Sequence, residues 1–196
     1  MKPVSIFLDP ESMAREMASS WCTQAQQAKK KQCVFTVVLS GGSTAKALYP
    51  MLADPQWGNS IPWESVHIFF ADERCVSPDN EESNCKMVYD HLLDHISIPE
   101  ENIHRIKGED NPEKESLRYA NEIQSHLALR KGNTNFFDWV LLGVGDDGHT
   151  ASIFPQQDII NSIKLCEVSQ HPDTGQKRIT MTPAAINRSR RVTYHI

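Results

Sequence analysis

The sequence predicts an α/β fold, a three-layer, doubly wound and mostly parallel sheet, and three observations carry that expectation. Apolar runs of strand length alternate with stretches patterned at helical spacing along the whole chain. One of those runs, Phe136 to Leu142, is apolar almost without a break, as a strand covered on both faces must be. Three runs stop in glycine and polar clusters, at Ser40-Gly41-Gly42-Ser43-Thr44, at Asp72-Glu73-Arg74 and between Gly143 and His149. Right-handed crossovers bring such strand ends to one edge of the sheet, which is where open α/β sheets bind ligands.

Ser5 to Leu8 reads as a first strand, and Asp9-Pro10-Glu11 starts a long helix that runs to about Lys31. Met13, Met17, Trp21 and Ala25 recur on one face of it and read as core, while Lys29 to Lys31 suit the helix dipole at a solvated end. Cys33 to Leu39 is the second strand, followed by a helix around Ala45 to Leu52. Trp63 to Phe70 is the third strand, and a polar loop from Pro78 to Asn84 leads into a helix with Met87, Val88, Leu92 and Ile96 on its buried side. That helix carries His91 and His95 at the spacing of a metal-binding pair, but no third ligand is placed with them and no metal is expected.

Ile103 to Ile106 reads as a short strand, and Lys107 to Glu115 as a charged loop. A helix from Pro112 to Arg130, with Leu117, Ala120, Ile123 and Leu127 inward, returns the chain to the Phe136 strand. Beyond Pro155, Lys164 to Val168 and Lys177 to Met181 read as strands around a turn at His171 to Gly175. Thr182-Pro183 then opens a short helix to about Asn187, and Arg191 to Ile196 is one more strand.

With 196 residues, 39% apolar and 23% charged, the chain suits one domain over residues 1–196. A net charge of −5, with no basic cluster beyond Lys29 to Lys31, argues against a nucleic-acid or membrane-surface partner. Five scattered cysteines without a CxxC pair argue against a disulfide framework or zinc site and favour a reducing cytoplasm. The apolar patch from Val4 to Leu8 is too short for a signal-peptide core, and no window approaches a membrane span.

The chemistry-bearing stretch is FFDWVLLGVGDDGHTASIFP, residues 136–155. Gly143 and Gly145 let the chain leave the sheet sharply, and Gly148 lets it pass close to a bound molecule. His149 is the one side chain there able to take and return a proton near neutral pH, and Asp147 stands where it can fix the ring's tautomer or charge. An Asp-Gly turn before a solvated histidine is also ordinary loop punctuation, so this segment alone leaves both readings open. The Gly41-Gly42-Ser43-Thr44 turn is either an anion cradle of backbone amides and hydroxyls or a plain capped βα turn; it is neither a Walker loop nor a GxGxxG fingerprint. Arg74 belongs either to a surface ion-pair group or to a site for phosphate or carboxylate.

Four blocks in order, LSGGSTAKALYPML, FFADERCVSPDNEESN, LLGVGDDGHTASIFP and RITMTPAAIN, resemble the 6-phosphogluconolactonase family, within a superfamily that includes glucosamine-6-phosphate deaminase. The resemblance covers nearly the whole chain. It implies the Rossmann-like sheet of sugar-phosphate isomerases and deaminases. It also implies a cytoplasmic hydrolase, monomer or weak homodimer, with neither metal nor cofactor, that opens 6-phospho-D-glucono-1,5-lactone to 6-phospho-D-gluconate in the pentose phosphate pathway. His149 would be the general base, with Asp147 beside it and Gly148 at the substrate. Gly41, Gly42, Ser43 and Thr44 would hold the sugar phosphate, Arg74 and Arg178 would bind the anion, and Asp72 would contact a hydroxyl.

Two departures stand out. Ala45 replaces a Pro of the family's SGGSTP, and the family continues past RVTYHI through a Gly-containing turn with a Lys and a final helix, so the chain is expected to be C-terminally short. Two alternatives are weighed. The deaminase motif resembles DGHIAFNEP, with an acidic residue five positions after the His, where this chain has Phe154. A sugar-phosphate-sensing regulator would need a DNA-binding domain for which the chain has neither a basic helix nor spare length.

Overall fold

Helix α1, Pro10–Lys30, starts where its sequence says it must: Asp9 caps it in extended backbone, accepting a 2.7 Å hydrogen bond from the Ser12 amide, with Pro10 in the first turn. The structure is a computed structural model that describes residues 4–129 and 134–196, with the backbone alone described at Ser43, Thr44 and Leu129. Along α1 the stripe Ala14, Met17, Ala18, Trp21 and Ala25 is buried. The Trp21 indole packs on the rings of Phe35, Trp63 and Trp139 at centroid distances of 5.8, 6.4 and 6.2 Å. Truncating such a side chain costs about 3–5 kcal/mol, so this contact fixes α1 to one face of the sheet.

The next elements are β1 (Phe35–Leu39), α2 (Ser43–Ala53), α3 (Pro55–Gly58), β2 (Val66–Phe70), β3 (Asp72–Arg74), α4 (Asn84–His91) and β4 (Ile103–His104). They are followed by α5 (Pro112–Leu129), β5 (Trp139–Gly143), β6 (Cys166–Gln170), β7 (Lys177–Met181), α6 (Pro183–Ile186) and β8 (Val192–His195). Five strands form one sheet in the order β4-β2-β1-β5-β8, and every neighbouring pair is parallel. The chain winds outward from β1 through β2 to β4, then crosses back to β5 and β8 on the other side. The reversal falls between β1 and β5, whose carboxyl ends are Ser40-Gly41 and Gly143-Val144.

Strand alternation turns Phe69 to the face opposite Trp21, where it meets Tyr119, His126 and Phe137. The Tyr119 hydroxyl accepts from the Phe70 amide at 2.8 Å and lies 3.0 Å from the Phe70 carbonyl, so α5 is bonded to the end of β2. A second sheet, β3-β7-β6, is antiparallel. Ala71 couples the two sheets: its amide donates to Leu39 O and its carbonyl accepts from Met181 N, both at 2.7 Å.

Several expectations are corrected. Ser5 to Leu8 is not a strand; Val4, Ile6 and Leu8 are exposed, and the segment joins neither edge of the parallel sheet. Asp72 to Arg74, expected as a polar cluster ending the strand before it, forms a strand of its own, β3, because β7 offers it a ladder. Trp63 to Ser65 makes a 3-10 turn before β2. The helix expected to carry His91 and His95 on one face breaks at Leu92 (φ −139°), and the His95 ring turns to the Asp90 carbonyl. Leu117 faces solvent; the stripe that α5 buries is Glu115, Tyr119, Ile123 and His126. The expected helix end at Arg130 lies outside the described residues.

Candidate active site

The carboxyl ends of β1 and β5 are stitched together by the Gly143 amide, which donates to Ser40 Oγ at 3.3 Å. Ser40 is held in turn by the Tyr49 hydroxyl on its carbonyl at 2.7 Å. Gly42 then opens α2 at φ 104°, a conformation glycine adopts freely. With no side chain at that cap, the first-turn amides of α2 and the positive end of its dipole are left for an anion. The side chains of Ser43 and Thr44 lie outside the described residues; their backbone forms the first turn of α2.

The second wall comes from the small sheet. Register places Arg74 of β3 directly opposite Arg178 of β7. Both Nε atoms are buried without a hydrogen-bond partner, and among the described residues neither guanidinium makes an ion pair. Arg74 Nη1 donates to the Glu82 carbonyl, and the Arg178 guanidinium lies 5.6 Å from the Phe154 ring centroid. Burial and then the nearby charge of Arg74 push the Arg178 pKa down, the signature of like charges held together with too little to neutralise them. An anion would relieve that repulsion.

Asp72 and Glu73 divide between the two faces of β3. Asp72 accepts from Ser152 Oγ at 2.6 Å and from Asn84 Nδ2 at 3.3 Å, which leaves its carboxylate fixed at the cleft. Glu73 points away and is 2% exposed. Its carboxylate accepts from the amides of Arg74, Asn84 and Cys85 at 2.8, 2.8 and 2.7 Å and from Ser83 Oγ at 3.0 Å. Burial nevertheless raises its pKa against those donors.

The third contribution is the turn after β5. Gly145 and His149 exchange a backbone bond of 2.8 Å, and Gly148 takes φ 86° to close the turn. His149 Nδ1 lies 2.5 Å from Asp147 Oδ1, and the His149 amide donates to the same oxygen at 3.1 Å. These two bonds, the amide first, hold the Asp147 carboxyl below the usual carboxylate range. A carboxylate only accepts, so Nδ1 carries the proton and Nε2 is left as the basic nitrogen. The ring rests on Phe154 at 4.8 Å, and Ser152, bonded to Asp72 and Thr180, ties the turn to the small sheet.

Gly41, Gly42, Asp72, Arg74, His149 and Arg178, six of the ten site residues expected from sequence, line a single cleft of about 160 Å³. Asp147 stands behind the imidazole and Gly148 shapes the turn; neither lines the cleft. Asn84 was read as loop, yet it lines the cleft and bonds Asp72, and Gly41 must be glycine because a Cβ there would collide with Asn84 Oδ1. A larger groove of about 500 Å³ has Lys177 on its wall, but that amine is paired with Glu113 at 3.0 Å and the lining contains no histidine. Among the described residues no helix is long and apolar enough to cross a membrane.

A parallel sheet with a cleft at its reversal point, a basic imidazole on one side and two opposed guanidiniums on the other, defines a doubly wound α/β protein with a site for a small anionic ligand. The chain belongs to the glucosamine-6-phosphate isomerase/6-phosphogluconolactonase family, which it matches over residues 8–196. It is similar to the 6-phosphogluconolactonase of Haemophilus influenzae, with 42% identity over 158 residues covering 81% of this chain and 66% of the relative. The Synechocystis 6-phosphogluconolactonase is 41% identical over 97% of this chain and 78% of its own. The chain thus spans 66% and 78% of these two relatives' lengths. A crystal structure of 6-phosphogluconolactonase from Thermotoga maritima superposes with a TM-score of 0.80 at 30% identity, over 92% of this chain and 78% of that one.

Proposed function

We propose that the chain hydrolyses 6-phospho-D-glucono-1,5-lactone to 6-phospho-D-gluconate. The observation that carries this reading is the convergence of His149 with Arg74 and Arg178 on one cleft at the sheet's reversal point. The names of the relatives supply the substrate. His149 Nε2 takes a proton from water as its oxygen attacks the lactone carbonyl carbon. The tetrahedral intermediate collapses with cleavage of the bond from that carbon to the ring oxygen, and the imidazolium returns its proton to that oxygen. A positioned base of this kind is worth about 10² to 10⁴ in rate. Asp147 holds the tautomer, Asp72 accepts from a sugar hydroxyl, and the α2 amides with the two arginines hold the phosphate and oppose charge building on the carbonyl oxygen.

A monomer or weak homodimer is the assembly that the family resemblance implies, and five unpaired cysteines support a reducing, cytoplasmic setting. The deaminase alternative lacks its acidic partner, since Phe154 occupies that place as a buried ring against His149. The purified chain should speed release of 6-phosphogluconate, read by coupling to 6-phosphogluconate dehydrogenase, and His149→Ala should reduce the rate to the uncatalysed one. Equal rates for mutant and wild type would overturn the assignment. Ammonia release from glucosamine 6-phosphate would establish the alternative.

A further inference from the structure

Three histidines that the cleft does not use meet on the α5 side of the parallel sheet. His67 lies on β2, His104 on β4 and His126 on α5, and one ring nitrogen of each lies within 4.8 Å of those of the other two. Register explains the meeting: His104 pairs with Phe69, so its side chain shares a face with residues 67 and 69, and α5 lies over that face. His67 Nδ1 and His104 Nε2 are 3.0 Å apart. His126 Nε2 is 3.0 Å from Thr36 Oγ1. Behind the group, Glu122 sits 2.7 Å from His104 Nδ1, which fixes the proton there and turns the lone pair of Nε2 toward His67.

We propose that His67, His104 and His126 bind a divalent transition-metal ion of zinc's class, clipping α5 to the two-residue edge strand β4. A tetrahedral ion with bonds of about 2.0–2.1 Å needs donor nitrogens roughly 3.4 Å apart, so the 3.0 Å pair must open slightly while wider separations, at most 4.8 Å, close by no more than about 1.4 Å, within the reach of imidazole rotation. The ion takes the place of the proton shared by His67 and His104, which moves to solvent or to the far ring nitrogen. Three imidazoles, one of them backed by a carboxylate, are a donor set that zinc takes. Arg118 pairs with both Glu115 and Glu122, which holds the carboxylate behind His104 in place. His67 and His104 are half-buried and His126 is buried. His67 of β2 precedes Asp72 of β3 by five residues, but the trio shares no residue with the cleft.

Metal-free protein titrated with zinc should bind one equivalent at the trio, and at a hundredfold excess over Kd its Tm should rise by roughly 5–10 °C. Cobalt in place of zinc should give the intense visible bands of a four-coordinate ion. His67→Gln and His104→Gln should each weaken binding at least tenfold, and His149→Gln should leave it unchanged. Failure of the wild type to bind below millimolar zinc, or binding abolished by His149→Gln instead, would overturn the proposal. Should the trio variants not fold, the anomalous signal of zinc in wild-type crystals decides: a peak among the three rings supports the site, and a peak elsewhere or none refutes it.

Discussion

The sharpest test of the proposed mechanism adds one methyl group. At Gly145 a Cβ would fall inside 3.0 Å of both Cε1 and Nδ1 of His149, and 3.1 Å from Asp147 Oδ1. Carbon atoms settle at about 3.5–4.0 Å, so the imidazole must withdraw by roughly an ångström and give up its 2.5 Å bond to Asp147. Displacements of that size in a reacting group cost about 10²-fold, and full loss of a general base costs about 10² to 10⁴. Gly145→Ala is therefore expected to lower kcat by about 10² to 10³, or about 3–4 kcal/mol of transition-state stabilisation. KM should change less than about threefold, because the arginines and α2 are untouched. Gly145 does not use the left-handed backbone region, so the variant should fold normally. The contrast is Gly143→Ala, whose methyl would meet only Gly41 O and His195 Cε1, both at an ordinary 3.8 Å. The dehydrogenase-coupled assay, with the enzyme-free opening rate subtracted, reads both. A Gly145→Ala enzyme within threefold of wild type, or a Gly143→Ala enzyme equally impaired, would refute the reasoning.

The guanidinium pair and a buried histidine give two further expectations. Arg178→Ala should raise KM by about 10- to 100-fold and weaken inhibition by inorganic phosphate in parallel, because a charge-assisted contact to the anion is lost; unchanged KM would remove Arg178 from the binding site. His195 is 5% exposed, and burial lowers its pKa below the ordinary 6.5. Between that lowered value and 6.5 the unfolded chain takes up a proton that the folded chain refuses. Stability therefore falls as pH drops through 6.5, by at most about 1.4 kcal/mol per pH unit from this group. Melting curves of wild type and His195→Leu between pH 7.5 and 5 should diverge in slope, the variant being flatter, and parallel slopes would rule the effect out.

Strands β1, β2 and β5 were legible in sequence because strands buried on both faces are mostly apolar, and the glycines after β1 and β5 were legible because sharp exits need them. Ser5 to Leu8 is similarly apolar, but a strand exists only through its partner, and pairing leaves no mark in four residues. The polar triplet Asp72-Glu73-Arg74 shows the converse: β3 owes its conformation to a ladder with a segment about a hundred positions on. Leu117 misled because the buried stripe of α5 includes Glu115 and His126, which an apolar pattern cannot count. His149, Arg74 and Arg178 could be named from motif blocks, whereas Asn84, though it ends one of those blocks, was read only as the end of a polar loop. His67, His104 and His126 are single histidines in three unrelated segments; sheet register brings the first two together and the packing of α5 brings the third.

The carboxylate of Glu73 closes a ring of chain, since it joins β3 to the first turn of α4 while the Asn84 amide reaches back to Asp72. What lies between, Ser77 to Glu82, is exposed and hangs from two anchored posts. An outer bulge mounted in this way can lengthen, shorten or accept a foreign epitope while the floor beneath it stays still. Ser77 to Glu81 is accordingly the port through which a fluorophore, an affinity tag or a tether to a surface could be attached without disturbing the chemistry a few ångströms below.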